Sequence, residues 1–267
     1  MYEKLIQKYK DLYENPLTCE PLVQVIFPVK HSYTIKEALD SPEKMLANQM
    51  ETINARLAVG DDFLPALRAD FGTAQIAAMY GCPIKIMEDS EPCCAKHILE
   101  DIEDVDQLET PSMTSGWMPK VDEFQRYFLE HKPKNVAIQH PDVQGPFNSA
   151  HLIRGNDIIY DFYDDPENVQ VLLNKVADFM VDWISYTTRE TQPEKGWIYD
   201  RGGLWRGNAR LCNCSLQIVS PTIYRENIMA SDDRFLKAVN LGRVHYCGSY
   251  REIIDDLFKL KYDKSGD

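Results

Sequence analysis

Short apolar runs alternate with helical stretches along this chain, and several runs end in polar residues able to do chemistry. That alternation constrains the fold more than composition does. Successive strand–helix units call for strands joined by helical crossovers, and so for α/β architecture. Strands are predicted over 21–28, 63–69 and 135–139, at Cys212–Cys214 and at His245–Cys247, with a short edge strand at 83–87 and a further segment at 196–200. Polar groups collected at strand ends are the pattern of a TIM (β/α)8-type barrel, whose active site forms at the C-terminal ends of its strands. About five main strands are legible, against eight in a complete barrel, so the barrel is expected to be C-terminally incomplete. An open barrel leaves a strand edge uncovered, which a homodimer partner would cover.

The best-defined helix follows Asp164-Asp165-Pro166-Glu167. Asp165 suits the capping position, Pro166 the first helical position, and Glu167 the positive end of the helix dipole. Val169, Leu172, Leu173, Val176, Phe179, Met180 and Trp183 then recur at helical spacing and form one apolar stripe facing a core. Ser41-Pro42 marks another helix start, running to Leu57, and a final amphipathic helix is predicted over 252–260. A helix from Tyr2 to Tyr13 lies in an N-terminal extension, residues 1–20, of what reads as a single domain over 1–267. The acids Asp161–Asp165 read as solvating and capping a helix.

The formal net charge is −13, with no Lys/Arg cluster. A polyanion needs a basic face, so nucleic acid is not an expected partner. No apolar stretch is long enough to cross a bilayer, and the N-terminus is no signal peptide, so the cytosol is the expected compartment. The seven scattered cysteines then read as buried thiols or metal ligands more than as disulfides.

Chemistry concentrates in Gly242-Arg243-Val244-His245-Tyr246-Cys247-Gly248. Side chains alternate along a strand, so His245 and Cys247 share a face. An imidazole beside a thiol is half of a zinc site or a nucleophile–base pair. Cys212 and Cys214 form a second such pair. If the two strands are neighbours, three sulfurs and one imidazole converge. The plainer readings are that cysteines in a buried strand pack as small hydrophobes, that Asp70 anchors a turn, that His151 caps or packs, and that Arg201-Gly202-Gly203 is a flexible loop.

The strand ends together resemble the uroporphyrinogen decarboxylase superfamily, which includes the cobalamin-dependent methyltransferases. The resemblance spans residues 20–260. It rests on Asp142-Val143-Gln144-Gly145-Pro146-Phe147, on His151-Leu152-Ile153-Arg154-Gly155, on Tyr160 through Glu167, and on the order of Arg68-Ala69-Asp70, Cys214 to Pro221 and His245-Tyr246-Cys247-Gly248. The arginine-rich segment with which true decarboxylases grip their substrate is matched here by Phe27 to Tyr33, where only Lys30 is a cation of that kind. Uroporphyrinogen carries many carboxylates and calls for bidentate donors. The resemblance therefore implies a corrinoid-dependent methyltransferase moving a methyl group to or from a zinc-bound thiol. It implies zinc on a His-x-Cys pair, His245 and Cys247, and on a later cysteine; none follows Cys247, so either Cys214 or Cys212 substitutes, or the third ligand is lost with absent C-terminal units, or no metal binds. Asp70, Asp142 and Gln144 are the implied catalytic polar groups, and His151 and Tyr199 the implied cofactor contacts. His151 stands where the decarboxylases have a tyrosine, and Cys214 where they have a serine. The implied partners are a corrinoid protein and a small thiol or tetrapyrrole. Uroporphyrinogen decarboxylation, or non-catalytic tetrapyrrole or corrinoid binding, are the alternatives.

Overall fold

Local capping chemistry sets several of the helix starts. The computed structural model describes residues 2–142, 144–191, 194–249 and 251–260, so Val143 of the Asp142–Phe147 turn and the polar tail 261–267 lie outside the described residues. Helix α1 (Tyr2–Glu14) opens the chain. A capping box between Thr34 and Glu37 starts α2 (Ile35–Asp40), and Ser41 caps α3 (Pro42–Leu57) by accepting from Lys44 N, with Pro42 in the first turn. Residues 21–28 form no strand. Prolines stand at both ends of that run, and its Val23 and Val25 amides donate to the Asp62 and Asp61 carboxylates instead of to a strand partner.

The next units are β1 (Ala66–Leu67), α4 (Gln75–Met79), the antiparallel pair β2 (Ile84–Lys85) and β3 (Cys93–Cys94), α5 (Met118–His131) and β4 (Ala137–Ile138). β1 and β4 pair in parallel, Leu67 beside Ile138. Chain turns after β4 lead into α6 (Pro146–Arg154), α7 (Ile158–Asp164) and α8 (Pro166–Thr188). Asp165 caps α8 by accepting from Asn168 N at 3.1 Å, and the stripe from Val169 to Trp183 is buried throughout. Each such side chain contributes about 1.5–3 kcal/mol of burial energy, set against the entropy of ordering the chain.

An antiparallel hairpin, β5 (Trp197–Asp200) and β6 (Gly203–Arg206), precedes β7 (Ala209–Cys212). A 3-10 turn over Cys214–Ile218 follows, so Cys214 sits just beyond the strand. Then α9 (Pro221–Ile223), a π turn (Tyr224–Ile228) and α10 (Met229–Ala238) run as one helix, and β8 (Gly242–His245) returns parallel to β7. Only α11 (Ile254–Leu257) of the expected final helix is regular. Leu211 and Val244 pack with the helices in the main core, which turns Arg210, Cys212, Arg243 and His245 to the other face of their strands. A smaller cluster gathers Tyr9 of α1 with Leu64, Tyr199 and Leu204.

Asp161 does not lie in solvent. It is buried on α7 against Arg154, whose Nε and Nη2 donate to Oδ2 and Oδ1 at 2.7 and 3.1 Å. Removing Asp161 leaves buried Arg154 only the longer, solvent-exposed contact to Asp157 at 3.6 Å as a counter-charge. Asp161→Ala is expected to destabilise the fold by about 3–5 kcal/mol in urea unfolding, and a cost below 1 kcal/mol would contradict the buried pairing.

Candidate metal centre

Parallel pairing of β7 with β8 sets Arg210 beside Arg243 and Cys212 beside His245. Because residues two apart share a face, these pairs form two layers on one side of the strands. The outer layer is the cysteine–histidine cluster. Cys212 Sγ lies 3.2 Å from Cys214 Sγ, Cys214 Sγ 2.7 Å from Cys247 Sγ, and Cys247 Sγ 3.2 Å from His245 Nε2. The donor atoms of Cys212, Cys214 and His245 all fall within 4.8 Å of one another. Cys212 is buried, Cys214 and His245 half-buried, and Cys247 exposed, so the cluster is reachable from solvent.

Burial and neighbouring groups shift two of the donors, Cys214 and His245. Burial raises the Cys214 thiol pKa, and the neighbouring Cys247 and Cys212 sulfurs raise it further. Crowded thiols resist becoming thiolates together unless a positive ion sits among them. Burial lowers the His245 pKa, and Arg210, Arg201 and Arg243 add to the effect. The imidazole is thus neutral near pH 7, the form that ligates metals. Three sulfurs and one imidazole are a donor set suited to zinc.

The inner layer is a chain of ions in which Asp142, Asp200 and Arg210 are buried, and Arg68, Arg243 and Asp70 only partly so. Arg68 bonds Asp70 at 2.7 Å and lies 3.4 Å from Asp142. Arg210 lies 3.2 Å from Asp142 and 3.3 Å from Asp200, and Arg243 pairs with Asp200 while stacking on Trp205 at 3.5 Å. Three arginines thus meet three aspartates. Burial works against the charge on Arg68, but Asp70 and Asp142 outweigh it and its pKa rises.

The structure distributes the sequence-predicted residues unevenly. His245, Cys247, Cys214 and Cys212 come together. Asp70 and Asp142 join the ion chain, and Gln144 lies next to it, its backbone bridged to Cys212 and its side chain accepting from Asn148 at 2.7 Å. His151 and Tyr199 are not brought to the cluster. His151 ends up on the last turn of α6, bonded to Asn156 and stacked near Phe147, because the helix runs away from the strand end at Gly145. The Tyr199 hydroxyl accepts from Tyr2 under α1. Alternation along β5 instead turns Asp200 toward the ion chain. Asp200, Arg210 and Arg243 were missed by sequence reasoning. The period-two spacing of Arg210 to Cys212 and of Arg243 to His245 was the available signal for those two, and Asp200 on β5 carried none.

Residues 28–196 match the family model for uroporphyrinogen decarboxylase. The chain belongs to that family. Similar sequences include the methylcobamide:CoM methyltransferase MtbA of Methanosarcina acetivorans, 28% identical over 117 residues, and that of Methanosarcina mazei, 26% identical over 117 residues. Each match takes in 43% of this chain and 34% of the relative, so the chain spans about a third of the length of these relatives. Among solved structures, a methyltransferase from Methanosarcina mazei superposes with a TM-score of 0.68 at 16% identity, over 97% of this chain and 74% of the other. That likeness establishes a shared fold. The cysteine–histidine cluster lies beyond the residues the family model covers.

His140 gives this region a pH signature. It is buried with Nδ1 bonded to Pro141 O at 2.8 Å, and burial pushes its pKa from 6.5 down to about 4. Between those values the unfolded chain binds more protons, so the stability tied to neutral His140 is intact above pH 6.5 and lost as pH falls toward 4. Replacing His140→Gln is expected to flatten the acid-side loss of stability by up to ~1.4 kcal/mol per pH unit in urea titrations from pH 7 to 4. An unchanged slope would place the imidazole in solvent.

Proposed function

We propose that this protein is a corrinoid-dependent methyltransferase of TIM-barrel type that moves a methyl group between a corrinoid on a partner protein and a zinc-bound thiol. The observation that carries this reading is the convergence of Cys212, Cys214, His245 and Cys247 at one solvent-reachable strand end. His245, Cys247 and Cys214 would hold the zinc, with Cys212 within reach as a further donor. Zinc bound there would stabilise a substrate thiol as its thiolate near neutral pH.

The chain's own residues supply orientation and access. A cleft of about 500 Å³ reaches His245 and is lined by Tyr13, Trp205, Arg243, Leu257 and Phe258. Beneath the donors, the Arg210 and Arg243 guanidiniums add to burial in keeping a proton off His245. Asp70, Asp142 and Gln144 serve as polar contacts beneath the donors, held by Arg68, Arg210 and Asn148. His151 and Tyr199 act structurally in this reading.

Two features weigh against decarboxylation of a porphyrinogen. Residues 27–33 hold no arginine. Arg68, Arg210 and Arg243 are each neutralised by aspartate, which leaves little cationic charge for a polycarboxylate. Among the described residues no helix is long and apolar enough to cross a membrane. The cysteines are free thiols, and we assign the protein to the reducing cytosol on that basis.

Protein purified without chelators is expected to contain stoichiometric zinc and to demethylate methylcobalamin when given a small thiol, followed by the loss of methyl–cobalt absorbance. His245→Ala and Cys214→Ser are expected to lose metal and activity together. Zinc-free wild-type protein that cannot be reloaded would overturn this reading.

A further inference from the structure

Asn213 stands between two donor cysteines, and its own surroundings are fixed on every side. It is fully buried. Its backbone N donates to His245 O at 2.9 Å, and its carbonyl accepts from Leu216 N at 3.2 Å. Its side-chain Nδ2 donates to Asp232 Oδ2 at 2.6 Å. On the other side, a Cβ on Gly145 would stand 2.0 Å from Asn213 Oδ1, so only glycine lets the turn before α6 pass. Among the described residues Asn213 Oδ1 has no hydrogen-bond partner, and Nδ2 is what anchors the amide there.

Asp232 is equally buried. Its described neighbours are the Asn213 amide and the Tyr224 hydroxyl, both neutral. A fully buried carboxyl with no cation beside it is more stable with its proton. In agreement, burial raises its pKa to about 8, against the lowering effect of the Asn213 and Tyr224 hydrogen bonds.

The helix that carries Asp232 is shaped for this contact. Tyr224 and Asp232 are eight residues apart, and in an unbroken α-helix they would point about 80° from one another. The π turn at Tyr224–Ile228 absorbs one residue, which brings the two directions to within about 20°. Both side chains therefore point to one side of the helix, which sets Tyr224 beside Asp232, whereas a regular helix would turn one of them away.

We infer that Asp232, as a neutral acid acting through Asn213, is a positioning residue of the metal centre. It fixes the Asn213 amide and thereby the spread between the Cys212 and Cys214 sulfurs. This rests on the metal reading given above. It adds a residue 18 positions beyond Cys214 that touches no donor sulfur in any described contact. Neutrality makes a sharp demand. Asp232→Asn keeps an acceptor for Asn213 Nδ2 at equal size and should preserve the centre, whereas Asp232→Ala removes the acceptor and should not.

The test uses the full chain loaded with Co(II), which reports thiolate ligation through its charge-transfer bands and geometry through its ligand-field bands. Zinc affinity is measured alongside by competition with a chromophoric chelator. Wild type and Asp232→Asn are expected to give matching spectra and affinities within a few-fold. Asp232→Ala is expected to lose roughly 10–100-fold in affinity with a changed ligand-field spectrum. Phe235→Leu, a packing change on the same helix, controls for lost stability and is expected to leave both readouts in place. If Asp232→Ala does not fold, Asn213→Ala breaks the same hydrogen bond from the other end and is expected to give the same loss. Normal cobalt binding by the alanine variant would overturn the positioning role alone. So would a loss in Asp232→Asn as deep as in Asp232→Ala, because the charge and not the hydrogen bond would then matter. Failure of the wild type to bind either metal would overturn the metal reading itself.

Discussion

The parallel register of β7 against β8 is the constraint on which the rest of the site depends. It sets Cys212 beside His245 and Arg210 beside Arg243, all on the face away from the helices. Side chains alternate with period two, so a slip of one residue would put Arg243 and His245 into the apolar layer and Val244 over the ions. Neither layer could survive that exchange. The register is held at both ends. Asn208 N donates to Leu241 O at the start of the strands, and Asn213 N donates to His245 O at their end.

The two layers also depend on each other. Arg68, Arg210 and Arg243 against Asp70, Asp142 and Asp200 form a chain of matched charges beneath the sulfurs. Desolvating the three buried members, Asp142, Asp200 and Arg210, is costly, and replacing such a network by apolar packing often gives an equal or more stable fold. Its presence is better explained by what sits above it. The guanidiniums of Arg210 and Arg243 add to burial in keeping a proton off His245. The same pairing explains how an acidic protein places three arginines at its strand ends without offering a general anion site.

Much of this was legible in the residues themselves. The α8 stripe from Val169 to Trp183 and its Asp165 cap follow from spacing and local hydrogen bonding, and both are local properties. The expectation that Cys212, Cys214, His245 and Cys247 gather required only that two strands be neighbours, and β7 and β8 are. The run at 21–28 misled because apolar content resembles a strand whether or not a partner exists, and Asp61 and Asp62 hold its amides instead. Asp161 was misjudged in the same way. An acid at a helix end is usually solvated, but α7 turns this one onto Arg154.

The sequence by itself determined where several helices begin and which side chains share a face within one strand, His245 with Cys247 among them. Those properties depend on neighbours a few positions away, through covalent geometry and capping. The tertiary structure alone decided that Asp200 and not Tyr199 meets the arginines, that Arg68 reaches Asp142, and that Asp232 supports the loop between two cysteines. Those contacts join residues 10 to 74 positions apart. They exist only because burial forces each polar group to find a partner, and the partner is whichever group the packing brings near.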